Sequence, residues 1–528
     1  MPLLSLPNEC FSDILSFLDN KSLYKCLFVN RFYCKLSIPL IWKDLFTTPI
    51  SNKLSLINTL LSCLNEDEIS LLIPYAINFN NHTPLFEYGK FVKKIDHEYC
   101  VGHIMAWLKT NDDQDCRVQK LISAIYHMIM RKGANLQEID ITVSQNGFYS
   151  SSHIIDLPKF SIFTTYKPGI TNLRSLNIEV DMNSSIDKYQ NITEFLTMLS
   201  KFCNSIVNYE LFIHELNEQN IFINPFLEII KLQPLVRLLM YINDHIDEEN
   251  VGNVEKILYT LEFRSETLKE LLFKFLDFKR IDLSFISKLE YLEHLEFIYC
   301  DGFTFNHCEA LSKKKLCLKE LKLWHCNMEI DLEEAIINSL CGEALLKLSL
   351  SAVTIQMIKT IKESCPNINF LCIGLITGKS LDSMIPLICE LSSLKILNIK
   401  VGYRVDKDIL IRILCNYLIY VEYLFFDFCM NIQTFRYFAN NCRANLKKLI
   451  ITLDNFSIRK DYLIHVKNFQ MIHNSLKVLG IKKYDDGLGL TNNEDNFCWT
   501  CIEIGIVNLL KSQGIDIVSS NELDFLFY

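Results

Sequence analysis

Residues 318–326 read LKELKLWHC, and this stretch decides the fold because it does not occur only once. The same L-x-x-L-x-L spacing, with Ile, Val or Phe allowed, starts at Leu268, Leu292, Leu318, Leu345, Ile368, Leu394, Val421, Leu446 and Leu476. The steps between copies are 24, 26, 27, 23, 26, 27, 25 and 30 residues. Chance clustering of apolar residues would not keep so even a step, so the period is architectural. Weaker copies begin at Leu136, Leu173, Ile206 and Leu235. Within a copy, the residues three and five places after its start lie on one face of a short strand. The segment between copies is long enough for a helix and two turns. Leu332–Leu340 shows helical spacing of this kind, with Asp331 placed to cap it. Such a unit buries its apolar face only against its neighbours, so stacking creates the core.

The array resembles leucine-rich repeats, with nine clear copies and up to thirteen in all. Cys300, Cys326 and Cys429 each stand eight residues after their repeat's start, where the cysteine-containing subtype places its Cys. Cys341, Cys365, Cys389 and Cys442 fall three to five residues before the next start, which the subtype also shows. The resemblance implies that both sets face the core.

Composition narrows the class. The chain has 528 residues, 49% of them hydrophobic and 22% charged, an ordinary globular balance. With 16 Gly and 12 Pro, collagen-like and linker-rich architectures are excluded. The net charge of −9 gives no global pull toward nucleic acid or anionic membrane. Twenty cysteines, no secretory leader at the start and no long apolar span point to a reduced, intracellular setting. The expected location is cytoplasmic, with nuclear entry left open.

Residues 6–46 read LPNECFSDILSFLDNKSLYKCLFVNRFYCKLSIPLIWKDLF. The apolar spacing predicts three short helices: Glu9 to Leu18, Ser22 to Val29, and a third capped by Asn30 and stopped by Pro39. Forty residues cannot bury this many apolar side chains alone, so the segment needs a partner surface. The segment resembles an F-box. It opens Leu6-Pro7-x-Glu9 and continues with Ile14, Leu18 and Asp19. Leu23, Cys26 and Val29 follow, then Arg31-Phe32, and finally Trp42. The resemblance implies a substrate receptor that docks on a Skp-type adaptor and, through it, on a cullin–RING scaffold. Leu6, Pro7, Ile14, Leu18, Leu23, Val29 and Trp42 are the expected adaptor-facing or F-box core residues, the two roles not being separable by sequence. A receptor of this kind does no bond chemistry, because it acts by raising the local concentration of a target's lysines.

The expected fold class is therefore α+β. A three-helix F-box (1–46) leads through a helical connector (47–135) into irregular early repeats (136–267) and regular repeats with a cap (268–528), forming a curved α/β solenoid. Residues 145–170 read as an inserted loop.

Residues at +2, +4 and +6 of each copy alternate with the core positions and, in the fold the repeats imply, face the concave side. His294, Trp324, Phe370, Tyr423 and Phe425 stand there, with Tyr299 and His325 adjoining at +7. Aromatics on such a face are the usual anchors of protein recognition, which makes these seven the candidate target-binding set. Some of them can instead pack on neighbouring strands.

Other constellations carry less. His97, Cys100 and His103 share a helical face, with Cys116 as the nearest further thiol, and Cys498 and Cys501 form a C-x-x-C. Core packing is the expected role of both, and no metal or cofactor is expected. Phosphate-binding and hydrolase motifs are absent from the sequence. The function expected is the substrate-recognition subunit of a Skp–cullin–F-box ubiquitin ligase. It is not itself an enzyme, binds no nucleic acid or membrane, and is a monomer outside the complex. The alternative is a repeat scaffold that binds a protein without directing ubiquitination.

Overall fold

The computed structural model describes residues 7–46, 54–77, 83–112, 115–143, 155–180, 190–213, 221–242, 251–377, 380–454, 459–483 and 499–519. The chain divides into two compact units, Met1–Tyr291 and Leu292–Tyr528.

The first unit opens with three helices, α1 (Asn8–Ser16), α2 (Asn20–Cys26) and α3 (Arg31–Trp42). Asp19 and Asn30 accept hydrogen bonds from the Ser22 and Tyr33 amides at 2.9 and 3.0 Å, which caps α2 and α3. Pro39 does not stop α3, contrary to expectation, and the helix runs on to Trp42. A proline costs an interior helix one hydrogen bond, and here burial of Ile38 and stacking of Trp42 on Tyr88 (4.1 Å between centroids) hold the turn together. Phe11, Leu15, Leu23 and Ile38 form the small core, with Phe11 edge-on to Phe32 at 5.2 Å.

Further helices follow at Leu54–Leu61, Glu66–Ser70, His97–Leu108 and Cys116–Arg131. Glu68 locks two of them together. It closes a capping box with Asn65 and, though buried, accepts from Arg131 at 2.7 Å and meets His127 at 2.6 Å. Burial opposes its ionisation, but these hydrogen bonds outweigh burial and hold its carboxyl below the usual range.

Among the described residues, six parallel strands complete the unit, paired in chain order. They are β1 (Lys94–Asp96), β2 (Glu138–Val143), β3 (Ser175–Val180), β4 (Asn208–Ile213), β5 (Arg237–Ile242) and β6 (Glu270–Lys274). The second unit holds nine more, also parallel and in order. These are β7 (His294–Ile298), β8 (Glu320–Trp324), β9 (Lys347–Leu350), β10 (Phe370–Thr377), β11 (Ile396–Arg404), β12 (Tyr423–Cys429), β13 (Lys448–Leu453), β14 (Val478–Lys483) and β15 (Asp516–Ser519). Helices separate the strands, which makes an α/β solenoid of leucine-rich-repeat type. Each of the thirteen sequence repeats yields one strand beginning two residues after its first position. β1 and β15 are two more than the repeat pattern showed.

One hydrogen-bond device fixes the register. Just before most of the strands, a single carbonyl accepts two successive amides from the next repeat. Lys319 O takes the Leu346 and Lys347 amides at 2.9 Å, and Glu422 O takes those of Lys447 and Lys448. Lys43 O, next to α3, does the same for Lys93 and Lys94, both at 2.9 Å. The end of the helical segment thus starts the ladder that the strands of the first unit continue.

The core lies between strands and helices. Leu321, Leu323, Leu348 and Leu350 are fully buried, as are Ile336, Ile337 and Ile358 on the helices. Burial of each such side chain contributes about 1.5–3 kcal/mol. Glu329, not Asp331, stands at the N-cap position of the helix Ile330–Leu340 and makes no side-chain capping bond, while Asp331 sits inside the first turn, where a carboxylate favours the helix dipole. Near the end of the chain, buried Arg459 and Glu503 form a two-pronged pair at 2.8 and 2.9 Å, joining the helices Arg459–His473 and Cys501–Ser512.

Candidate adaptor and target surfaces

In the helical segment, the expected residues separate into two groups. Leu23 is buried in the core and Trp42 packs on Tyr88, so both hold the segment together. Pro7, Ile14, Leu18 and Val29 are exposed. Leu6 lies outside the described residues. Two residues that sequence reasoning missed are the most exposed large apolar side chains of this segment: Phe17 at 88% and Phe28 at 87%. Ile14 on α1, and Phe17 and Leu18 just past its end, are exposed, whereas Phe11 and Leu15 on the same helix are buried. Tyr24, Phe28 and Val29 add the end of α2. The helical period at 14, 17 and 18 was the available signal for Phe17. Six large apolar side chains facing water within sixteen residues are a surface built to be covered.

The second unit's sheet face turned away from the core carries the other candidate set. Its first strands bear a charge ladder. Glu296 meets Lys322 at 3.3 Å, and Glu320 meets His294 at 3.3 Å and Lys347 at 3.2 Å. Burial raises the Glu320 pKa, but the His294 and Lys347 contacts prevail and hold it low. Trp324 and Phe425 are not exposed anchors: each is only 9% exposed. Lys400 covers the Trp324 ring at 4.4 Å and bonds Asp427 at 3.2 Å, while Phe425 packs with Ile450, Val478 and Val518. Packing on the same face accounts for both. Phe370, Tyr423 and His294 are half-buried.

Tyr299 and His325 are exposed, and their rings stack at 5.1 Å and 15°. Both have left-handed backbones, with φ of 54° and 53°. That conformation is uncommon for non-glycine residues and is a recurrent mark of functional positions. The Tyr299 amide is held by Trp324 O at 2.8 Å, so the strained turn is fixed in place. Asn398, another residue not singled out by sequence, sits on this face in register with Cys372 and Phe425. Its side-chain oxygen is buried with no hydrogen-bond partner among the described residues.

In the histidine and cysteine clusters the described residues differ in burial. His97 is fully buried and spends both ring nitrogens, on Tyr126 Oη at 3.0 Å and Ile155 O at 2.8 Å. Burial lowers its pKa to about 4, so it stays neutral, and burial pushes the Cys100 thiol up. Cys116 and Cys501 are exposed, while Cys498 lies outside the described residues. Cys300, Cys341, Cys365 and Cys442 are buried, and Cys326, Cys389 and Cys429 are half-buried. Among the described residues no helix is long and apolar enough to cross a membrane.

Fold and surfaces together define a class: a three-helix F-box-like segment leading a leucine-rich-repeat-type α/β solenoid. Residues 3–48 match the F-box-like family model. One solved structure, the crystal structure of the Rad7 and Elc1 complex in yeast, aligns with a TM-score of 0.36 at 15% identity, covering 76% of this chain and 96% of that one. No curated protein matches the chain.

Proposed function

We propose that the chain is the substrate-recognition subunit of a Skp–cullin–F-box ubiquitin ligase. The observation that carries this is the exposed apolar face of Ile14, Phe17, Leu18, Tyr24, Phe28 and Val29 inside the segment that matches the F-box-like model. A Skp-type adaptor covers that face and links the chain to cullin and RING subunits. The repeats take the target protein, with Tyr299, His325 and the half-buried Phe370 and Tyr423 as contact candidates. Trp324 and Phe425 shape the same face from within it.

The chain itself breaks and forms no bonds. Its contribution is positional, because it holds target lysines near the charged conjugating enzyme. The Lys43 carbonyl, shared by the Lys93 and Lys94 amides, supports this role by tying the adaptor-docking segment directly into the first unit's strand ladder. Co-expression with a Skp-type adaptor and a cullin, followed by affinity recovery, tests the proposal. Recovery of both partners is expected. A folded chain that recovers neither would favour the scaffold reading.

A further inference from the structure

The second unit contains a cavity of about 1130 Å³ at the carboxyl-terminal ends of β8 to β11. Its walls are mainly apolar: Trp324, Met328, Ile330, Met357, Ile376 and Met384. Among the described residues, three carboxylates line it (Glu333, Glu334 and Asp427) against one ammonium, Lys400. That ammonium is committed elsewhere, since Lys400 bonds Asp427 at 3.2 Å and covers the Trp324 ring. Glu334 accepts from the Thr354 hydroxyl. Glu333 stands apart. It is only 7% exposed, and among the described residues its carboxylate has no hydrogen-bond donor and no cation.

A carboxylate buried without a partner is costly, and a protein keeps one at a cavity wall only against some gain. A cation brought by a ligand would supply that partner and offset the burial that otherwise favours the protonated acid. The walls fit a long basic side chain, whose methylene stem suits the methionines and Trp324 while its charged head reaches the acid. The volume exceeds what one side chain needs, so neighbouring residues of the same segment fit too. We propose that this cavity receives a Lys- or Arg-bearing segment of the target protein, with Glu333 as the acceptor of the basic head. The inference rests on the proposal that the repeats capture a target, and it names the chemistry they read.

The test uses the full chain and two labelled nonapeptides of alanine, one with a central arginine and one with citrulline in its place. Binding is read by fluorescence anisotropy. The arginine peptide is expected to bind at least about tenfold more tightly, the effect of one buried charge-assisted contact. Glu333→Gln should bring it down to the citrulline level, and circular dichroism should show the fold unchanged. Equal binding of the two peptides, or arginine-peptide binding unaffected by Glu333→Gln, would overturn the proposal. Spermine binding more tightly than the arginine peptide would overturn the assignment to a protein segment. Adaptor recovery by Glu333→Gln is measured in parallel and is expected to equal that of the parent chain. Loss of adaptor recovery in the parent chain itself would count against the ligase reading and leave the peptide result standing.

Discussion

At Glu333 burial alone pushes the carboxyl pKa up to about 7. An unfolded glutamate titrates near 4.5, so the folded chain holds the extra proton between these values. Stability is therefore greatest below pH 4.5 as far as this group goes, and it is lost as pH rises toward 7. Glu333→Gln removes the penalty. Thermal melts should show the variant more stable than the parent at pH 8, with the difference shrinking toward zero by pH 5. Gly374 answers a different constraint: a Cβ there would collide with the Ser351 carbonyl where β9 and β10 run close. Gly374→Ala should lower the melting temperature measurably, although it adds a single methyl group. Neither residue was legible in the sequence, where Glu333 reads as one more helical surface charge. Its burial depends on the turns after β8 and β9, which no local pattern specifies.

Among the elements, strands were the most legible. The repeat starts locate β2 through β14, because alternation across a pleat and the buried Leu positions leave one register for each strand. β1 and β15 escaped because they are short, at three and four residues, and because His97 replaces the third apolar position of the β1 copy and Gly514 the first position of the β15 copy. The α3 helix exceeded its expected length because packing around Ile38 and Trp42 overrode the local effect of Pro39. Leu321→Ala, in the centre of β8, should cost about 2–5 kcal/mol in denaturant unfolding. The Arg459–Glu503 pair offers a second check at this scale. The Arg459 hydrogen bond holds the Glu503 carboxyl down at about 2, with the Thr500 capping contacts adding to it. That contribution is present above pH 4.5 and is lost as pH falls toward 2. Glu503→Gln removes the carboxylate charge that faces buried Arg459, and should cost about 3 kcal/mol at pH 7, with a smaller loss at pH 3.

Across the whole molecule, the division of labour was legible earlier than its details. The Leu-Pro-x-Glu opening and the 26-residue period sufficed to separate an F-box-like segment from a repeat array. They did not show which apolar residues face outward, since Leu23 and Ile14 look alike in a helical pattern. Nor did they show that Trp324 and Phe425 spend their rings on their own sheet. The face that remains open combines Tyr299, His325 and the acid-lined cavity, all within the second unit. The adaptor face belongs to the first unit, so the two binding events are expected to be separable by mutation.

The affinity of purified Skp-type adaptor for the full chain, measured with and without the double substitution Phe17→Asp and Phe28→Asp, tests the docking face most directly. Both side chains are exposed, so the fold should change by no more than about 0.5 kcal/mol for each substitution. If the face docks the adaptor, the parent chain binds and the double variant loses at least about a hundredfold in affinity. Equal binding by parent and variant, or no binding by a folded parent chain, would contradict it.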